Sequence, residues 1–247
     1  MVFSGKIGII TGGASGMGAA TVKEFSEAGG QAIIVDKNVY LADAVAEQTG
    51  AKVLAGNVAD SEFCNWVIEQ VVGEYGRIDT LVNAAGVIAR AKGVDTSDEA
   101  WTRVMGVNVN GTFFMCRAVL PQMQKQGGGA IINFGSIWGD VGAAGVLAYC
   151  TSKGAVHNMT RAMALDHATD NIRINAVCPG EVNTPMLQSE RSEAVTPDLL
   201  DRLAQTVPME RLADPSEIAK VVLFLASESA SYMTGSMVTV DAGFTAR

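Results

Sequence analysis

The stretch Ile7-Gly8-Ile9-Ile10-Thr11-Gly12-Gly13-Ala14-Ser15-Gly16-Met17-Gly18 decides the fold. Residues 7–10 form an apolar run of strand length. Residues 18–28 carry the apolar spacing of a helix that stops near Gly29-Gly30. Between them stand Gly12, Gly16 and Gly18. One glycine permits a sharp bend, one lets backbone N–H groups reach a pyrophosphate, and one lets the helix pack close to the strand. The spacing is G-x-x-x-G-x-G, not the G-x-G-x-x-G of the best-known dinucleotide turn. A second apolar run, residues 32–35, ends in Asp36, twenty residues after Gly16. A carboxylate there accepts hydrogen bonds from both hydroxyls of an adenosine ribose and repels a 2′-phosphate. Ser15 puts no cation in the glycine loop, although Lys37 adjoins Asp36.

Outward from this unit the alternation continues. Helical patterns cover residues 39–48, closing at Gly50, and residues 61–75, with Ser61 as the expected N-cap. Strand-like runs lie at residues 52–55 and 78–82, and a long helical stretch runs from about residue 98 to 126. Residues 130–134 and 172–177 are strands, 149–168 and 217–226 helices, and 238–240 a last strand. This order predicts a doubly wound α/β domain over residues 1–247, with about seven parallel strands and helices on both faces. Residues 189–207 break the rhythm: they are polar and carry Pro197. The wider segment 183–212 is expected to be an insertion that covers a ligand at the carboxyl ends of the strands.

Composition narrows the function classes. The 247 residues are 48% apolar and 18% charged, a globular balance. Lys plus Arg is 18 and Asp plus Glu is 26, a net charge of −8. Without a basic run there is no electrostatic footprint for nucleic acid or an anionic membrane. Residues 221–226, among the longest apolar runs, are far too short to span a bilayer, and residues 1–6 do not read as a signal peptide. A cytoplasmic protein is expected. Cys64, Cys116, Cys150 and Cys178 form no C-x-x-C pair and match no zinc spacing, so they read as reduced, mostly buried thiols. His157 and His167 are the only histidines, and helix packing or surface roles are expected of them rather than metal ligation.

Tyr149 and Lys153 stand four residues apart on one helix face, and Ser136 stands thirteen residues before Tyr149 at a strand end. Asn83-Ala84-Ala85-Gly86 closes the fourth strand and Pro179-Gly180 the sixth. With the Thr11 to Gly18 turn, Asn108 and Tyr149-Cys150-Thr151-Ser152-Lys153, these motifs occur in an order that resembles the short-chain dehydrogenase/reductase family over essentially the whole chain. The resemblance implies a Rossmann-like fold, a nicotinamide cofactor and a homotetramer. It implies Tyr149 as acid/base, Lys153 as the cation that favours the phenolate and holds the ribose, Ser136 as the substrate-oxygen ligand, and Asn108 as holder of a relay water. It further implies cofactor contacts from Gly12, Ser15, Gly16, Met17 and Gly18 at the pyrophosphate, Asp36 at the ribose, and Asn57 and Val58 at the adenine. Asn83, Ala84, Gly86, Tyr149, Lys153, Pro179, Gly180, Val182 and Thr184 complete that set. Asn57 departs from the family, which usually has Asp there; an amide still accepts and donates.

With Asp36, these features point to NAD and to a small secondary alcohol or ketone as substrate. Candidate substrate contacts are Trp138, Val146, Glu181 and Met186. Trp138 reads equally as pocket wall or core. Glu181 either pairs with a base such as Arg191 or meets substrate hydroxyls. Two other readings stand beside this one: an NADPH-dependent 3-oxoacyl-thioester reductase, and a non-catalytic NAD-binding regulator. The acid at Asp36 speaks against the first, and the presence of both Tyr149 and Lys153 against the second.

Overall fold

The computed structural model describes residues 1–191 and 194–246. The apolar runs, rich in Ile and Val, become strands. These are β1 (Ile7–Thr11), β2 (Gln31–Asp36), β3 (Lys52–Ala55), β4 (Thr80–Asn83), β5 (Gly129–Phe134), β6 (Ile172–Pro179) and β7 (Met237–Val240). All neighbouring strands pair in parallel, in the order β3-β2-β1-β4-β5-β6-β7. The helices are α1 (Gly16–Glu27), α2 (Val39–Thr49), α3 (Ser61–Tyr75), α4 (Asp98–Met105), α5 (Thr112–Gln126), α6 (Leu147–Asp166), α7 (Pro197–Gln205) and α8 (Pro215–Ala226).

Successive strand residues serve opposite faces. Ile9, Ile33, Leu81 and Ile131 pack with α3 and α5, whereas Ile10, Ile34, Val82 and Ile132 pack with α1 and α8. Both faces are covered, which is why these strands read as unbroken apolar runs. The strand order reverses between β1 and β4, and a ligand crevice opens outside the carboxyl ends of strands at such a point. Here the Ala85 N–H donates to Thr11 Oγ1 at 3.1 Å and joins the two loops that flank the crevice. Among the described residues no helix is long and apolar enough to cross a membrane.

Several boundaries differ from the sequence reading for local reasons. α1 begins at Gly16, because extended Ser15 takes the N-cap place. The N-cap of α3 is Asp60, not Ser61: its carboxylate accepts from the Glu62 and Phe63 N–H groups at 2.9 and 3.3 Å. The Ser61 hydroxyl accepts instead from Arg117 at 2.8 Å. β4 starts at Thr80 and not at residue 78, where the Ile78 N–H is taken by the Gln126 side chain at 3.1 Å. Residues 98–126 are two α-helices joined by a π turn, Gly106–Gly111. α6 starts at Leu147, two residues before Tyr149. Within the expected insertion lies an additional helix, α7, with Pro197 at its first position and the Thr196 hydroxyl accepting from the Leu199 N–H. Ser192 and Glu193, in the same insertion, lie outside the described residues.

Candidate active site

The loops after β1, β2 and β4 enclose a cleft of about 500 Å³. Gly12, Ser15, Gly16, Met17, Gly18, Asp36, Asn57, Val58, Ala84, Gly86, Thr184 and Met186 all line it. The turn after β1 has no room for side chains. Gly12 has φ +67°, and a Cβ there would sit 2.7 Å from the Ala85 backbone; one on Gly18 would sit 2.1 Å from the Gly12 carbonyl oxygen. Ser15 makes no side-chain cap, and the first turn of α1 carries no acid. The positive end of α1 therefore meets the cleft with its N–H groups open, a donor set that fits a pyrophosphate. Asp36 accepts from the Ala14 N–H at 3.2 Å and the Asn38 N–H at 2.9 Å. Two bonds leave a carboxylate with lone pairs for further hydroxyl donors.

Six expected cofactor residues do not line this cleft: Asn83, Tyr149, Lys153, Pro179, Gly180 and Val182. Asn83 is buried and donates to Asn133 Oδ1 at 2.9 Å, while Asn133 donates to the Thr160 hydroxyl at 2.9 Å. This ladder ties the ends of β4 and β5 to α6. Val182 is buried and pairs with Ala213 in an isolated bridge.

β5 carries Ser136 to the rim, and α6 presents Tyr149 and Lys153 one turn apart. Ser136 acts on the Tyr149 phenol and lowers its pKa, and the Ser136 Oγ accepts from the Trp138 N–H at 3.2 Å. Tyr149 and Lys153 are 9% and 5% exposed. Lys153 Nζ donates to the Phe134 carbonyl oxygen at 2.6 Å and lies 5.5 Å from the Tyr149 ring centroid. Burial pushes the Tyr149 phenol up to about 12, with Ser136 acting against it. Burial likewise pushes Lys153 down to about 8. The sequence reading expects the Lys153 ammonium to favour the phenolate; here burial is the largest influence, Arg90 is the cation that lowers the phenol, and the phenol is the resting form. Asn108, in the π turn, accepts from the Val87 N–H at 2.8 Å and donates to Val87 O and Ser152 Oγ, each at 2.9 Å. Its side chain clamps the loop after β4 against α6.

Beside the phenol, Ile88, Val146 and Tyr149 form an apolar cluster joined by Trp138, Ala143, Cys150 and Met186. Trp138 meets Tyr149 edge-on with ring centroids 6.2 Å apart, so it stands as a wall rather than in the main core. Glu181 is partly buried, which raises its pKa, while Arg90 and Arg191 lower it. Arg90 is the residue that sequence reasoning missed. Its Nε donates to Ser189 O at 3.0 Å and its Nη2 to Met186 O at 3.4 Å. It also acts electrostatically on both Tyr149 and Glu181. In the sequence it stands four residues after Gly86 and two before Lys92, outside any motif. Arg103 also lines the cleft and pairs with Glu190.

A family model described as enoyl-(acyl carrier protein) reductase matches residues 12–245. The chain belongs to the short-chain dehydrogenase/reductase family. Among its relatives in that family is 2,5-dichloro-2,5-cyclohexadiene-1,4-diol dehydrogenase LinX of Sphingobium indicum, 37% identical, with 98% of this chain and 96% of that protein covered. Another is the 3-oxoacyl-[acyl-carrier-protein] reductase FabG of Thermotoga maritima, 38% identical, with 98% and 99% covered. The crystal structure of gox2181 superposes with a TM-score of 0.92 at 34% identity, covering 99% of this chain and 97% of that one. Membership in the short-chain dehydrogenase/reductase family makes the protein an oxidoreductase of alcohols or ketones that works with a nicotinamide cofactor.

Proposed function

We propose that the protein is an NAD-dependent dehydrogenase of secondary alcohols, and a reductase of the matching ketones, with Tyr149 as general acid/base. The observation that carries this reading is the placing of Tyr149 and Lys153, one helical turn apart and next to Ser136, directly beside the cleft that holds Asp36: Met186 of its lining packs with Tyr149, and Gly86 faces the Lys153 ammonium. When bound, the nicotinamide supplies the hydride acceptor or donor. Ser136 holds the substrate oxygen against the Tyr149 hydroxyl. Tyr149 takes the alcohol proton in oxidation and returns it in reduction. The Lys153 ammonium offsets the cost of the phenolate and, by the family resemblance, holds the nicotinamide ribose. Asn108 fixes the π turn beside Ser152 and supports a relay of water to Lys153.

Asp36 supports NAD over NADP, and with the net charge of −8 it weighs against a reductase of carrier-bound acyl thioesters. The apolar wall around Trp138 and Val146, together with the Glu181 carboxylate, favours a neutral diol, polyol or cyclic alcohol over an anionic substrate. The expected insertion would cover the substrate side of a single unit, with its first part tied down at Met186 and Ser189 by Arg90. A homotetramer would cover Trp101, Phe113, Leu147 and Leu165, large apolar side chains left exposed on α4, α5 and α6. Four free cysteines suit a reducing, cytoplasmic setting. The test is a panel of secondary alcohols, polyols, sugars and hydroxy acids with NAD, followed at the NADH absorbance band. Turnover of neutral alcohols is expected. Turnover restricted to acyl thioesters with NADPH, or no turnover at all, would overturn the reading.

A further inference from the structure

The reaction steps above leave one buried imidazole unused. His157 lies one turn beyond Lys153 on α6 and is 1% exposed. Its two nitrogens face different partners. Nδ1 lies 3.0 Å from Asp140 Oδ1, and Nε2 accepts the Ser136 backbone N–H at 3.3 Å. Cys178 Sγ, on β6, is also 3.3 Å from Nε2. Burial pushes that thiol up to about 12, so it stays an S–H donor. One assignment satisfies every partner: Nδ1 carries the proton and donates to Asp140, and Nε2 is a bare acceptor. A carboxylate oxygen of Asp140, one ring nitrogen and Cys178 Sγ lie within 4.8 Å of one another, one ligand short of the four of a closed zinc site among the described residues.

The loop that carries Ser136 is moulded on this ring. A Cβ on Gly135 would sit 2.3 Å from Nε2, and one on Gly139 would sit 2.5 Å from Cε1. These two glycines bracket Ser136, and no side chain fits at either without displacing the imidazole or the loop. A shift of the Ser136 backbone moves its hydroxyl relative to Tyr149, and misplacement of ~1 Å in such a site costs up to ~100-fold in rate.

We propose that neutral His157, oriented by Asp140, is a positioning residue that holds Ser136 in its working place, and that protonation of His157 disables the site. The proposal rests on the dehydrogenase reading given above. A proton on Nε2 would set donor against donor at the Ser136 N–H. The groups that face the ring are Asp140 after β5, Cys178 on β6, and Lys153 and Arg161 on α6. Burial, the largest influence, with Lys153 and Arg161, holds His157 below the ordinary imidazole range, against the pull of Asp140. The loss therefore falls on the acid side, below about pH 6.5.

Two variants and one spectrum test this. His157→Gln keeps a neutral acceptor that does not titrate, and His157→Leu removes the acceptor. His157→Leu should lower kcat about tenfold or more, with the affinity for NAD unchanged within about twofold. His157→Gln should keep kcat within about threefold at pH 8 and lose the acid limb of the wild-type kcat profile. Imidazole 15N NMR of the wild type should report the Nδ1–H tautomer. A wild-type kcat in folded His157→Leu, an unchanged acid limb in His157→Gln, or an Nε2–H tautomer would each overturn the proposal. If His157→Leu fails to fold, the Gln profile and the spectrum decide. Failure of the dehydrogenase reading shows elsewhere, as full turnover in Tyr149→Phe, and the spectrum needs no turnover.

Discussion

The Lys153 ammonium donates to the Phe134 carbonyl oxygen at 2.6 Å, and both residues are sealed from water. A buried charge held by one neutral oxygen costs stability, and burial accordingly takes its pKa to about 8 from 10.5. The unfolded chain therefore binds more protons between those two values, so stability rises with pH across that window and is lowest below it. Lys153→Met should raise the unfolding free energy by about 1–3 kcal/mol at pH 7, after allowing for the orphaned carbonyl. The gain should shrink towards pH 10.5, as the wild type itself becomes neutral. Denaturant melts at both pH values check this, and turnover should be lost at either.

Tyr149→Phe removes the hydroxyl on which Ser136 acts and leaves the ring packed against Trp138. Turnover should fall by about 10²- to 10⁴-fold, the range for a positioned acid/base group. NAD affinity, read by fluorescence titration, should stay within about twofold. A rate above about a tenth of wild type would refute the acid/base role.

Asp36 should set the cofactor preference. Its carboxylate, fixed by the Ala14 and Asn38 N–H groups, faces the cleft, and NAD should be preferred over NADP by at least about 100-fold, or ~2.7 kcal/mol. Asp36→Ala leaves Lys37 and Arg103 as the charges lining that part of the cleft and should narrow the gap. Steady-state kinetics with both cofactors decide the matter; equal kcat/KM in the wild type would contradict the assignment.

Glu181 should discriminate by charge. Arg90 and Arg191 lower its pKa, yet neither guanidinium comes within ion-pair distance of it among the described residues. Glu181→Gln should raise kcat/KM for a carboxylated alcohol about tenfold or more and leave a matched neutral alcohol within about threefold. No change above about twofold for either would remove Glu181 from substrate choice.

Assembly has its own test. Trp101, Phe113, Leu147 and Leu165 remain 38%, 36%, 45% and 80% exposed in the single chain. Light scattering at micromolar concentration should give four times the mass of 25.8 kDa, and a monomer would be decisive against the tetramer.

What could be read from the sequence is what is encoded locally. The β1 run, the glycine turn and Asp36 lie within thirty residues, and each has its own chemical signature. Tyr149 and Lys153 declare themselves through one helical turn. The rest depends on partners far along the chain. Asn108 bonds Val87, which lies 21 positions before it, and Arg90 bonds carbonyls 96 and 99 positions after it. His157 reads as a packing residue until the fold brings Asp140 and Ser136 to its two nitrogens. α7 escaped although Leu199, Leu200 and Leu203 mark an apolar helical stripe, because residues 189–207 read as a polar insertion; in the fold that stripe is half-buried.

The π turn at Gly106–Gly111 has a consequence for tolerance to length change. α4 before it packs on α6, and α5 after it packs on α3. A π turn holds one residue more than the α-turns around it, and each residue advances a helix by about 100°. The turn thus keeps the rotational phase between two halves of one rod. Deleting a single residue there would let the rod become regular with its downstream half in the same phase, because the wide turn is what absorbs the extra residue. Met115, Cys116 and Val119, all fully buried, would go on facing the core. A one-residue insertion within the regular turns of α5, by contrast, would rotate everything after it by about 100°.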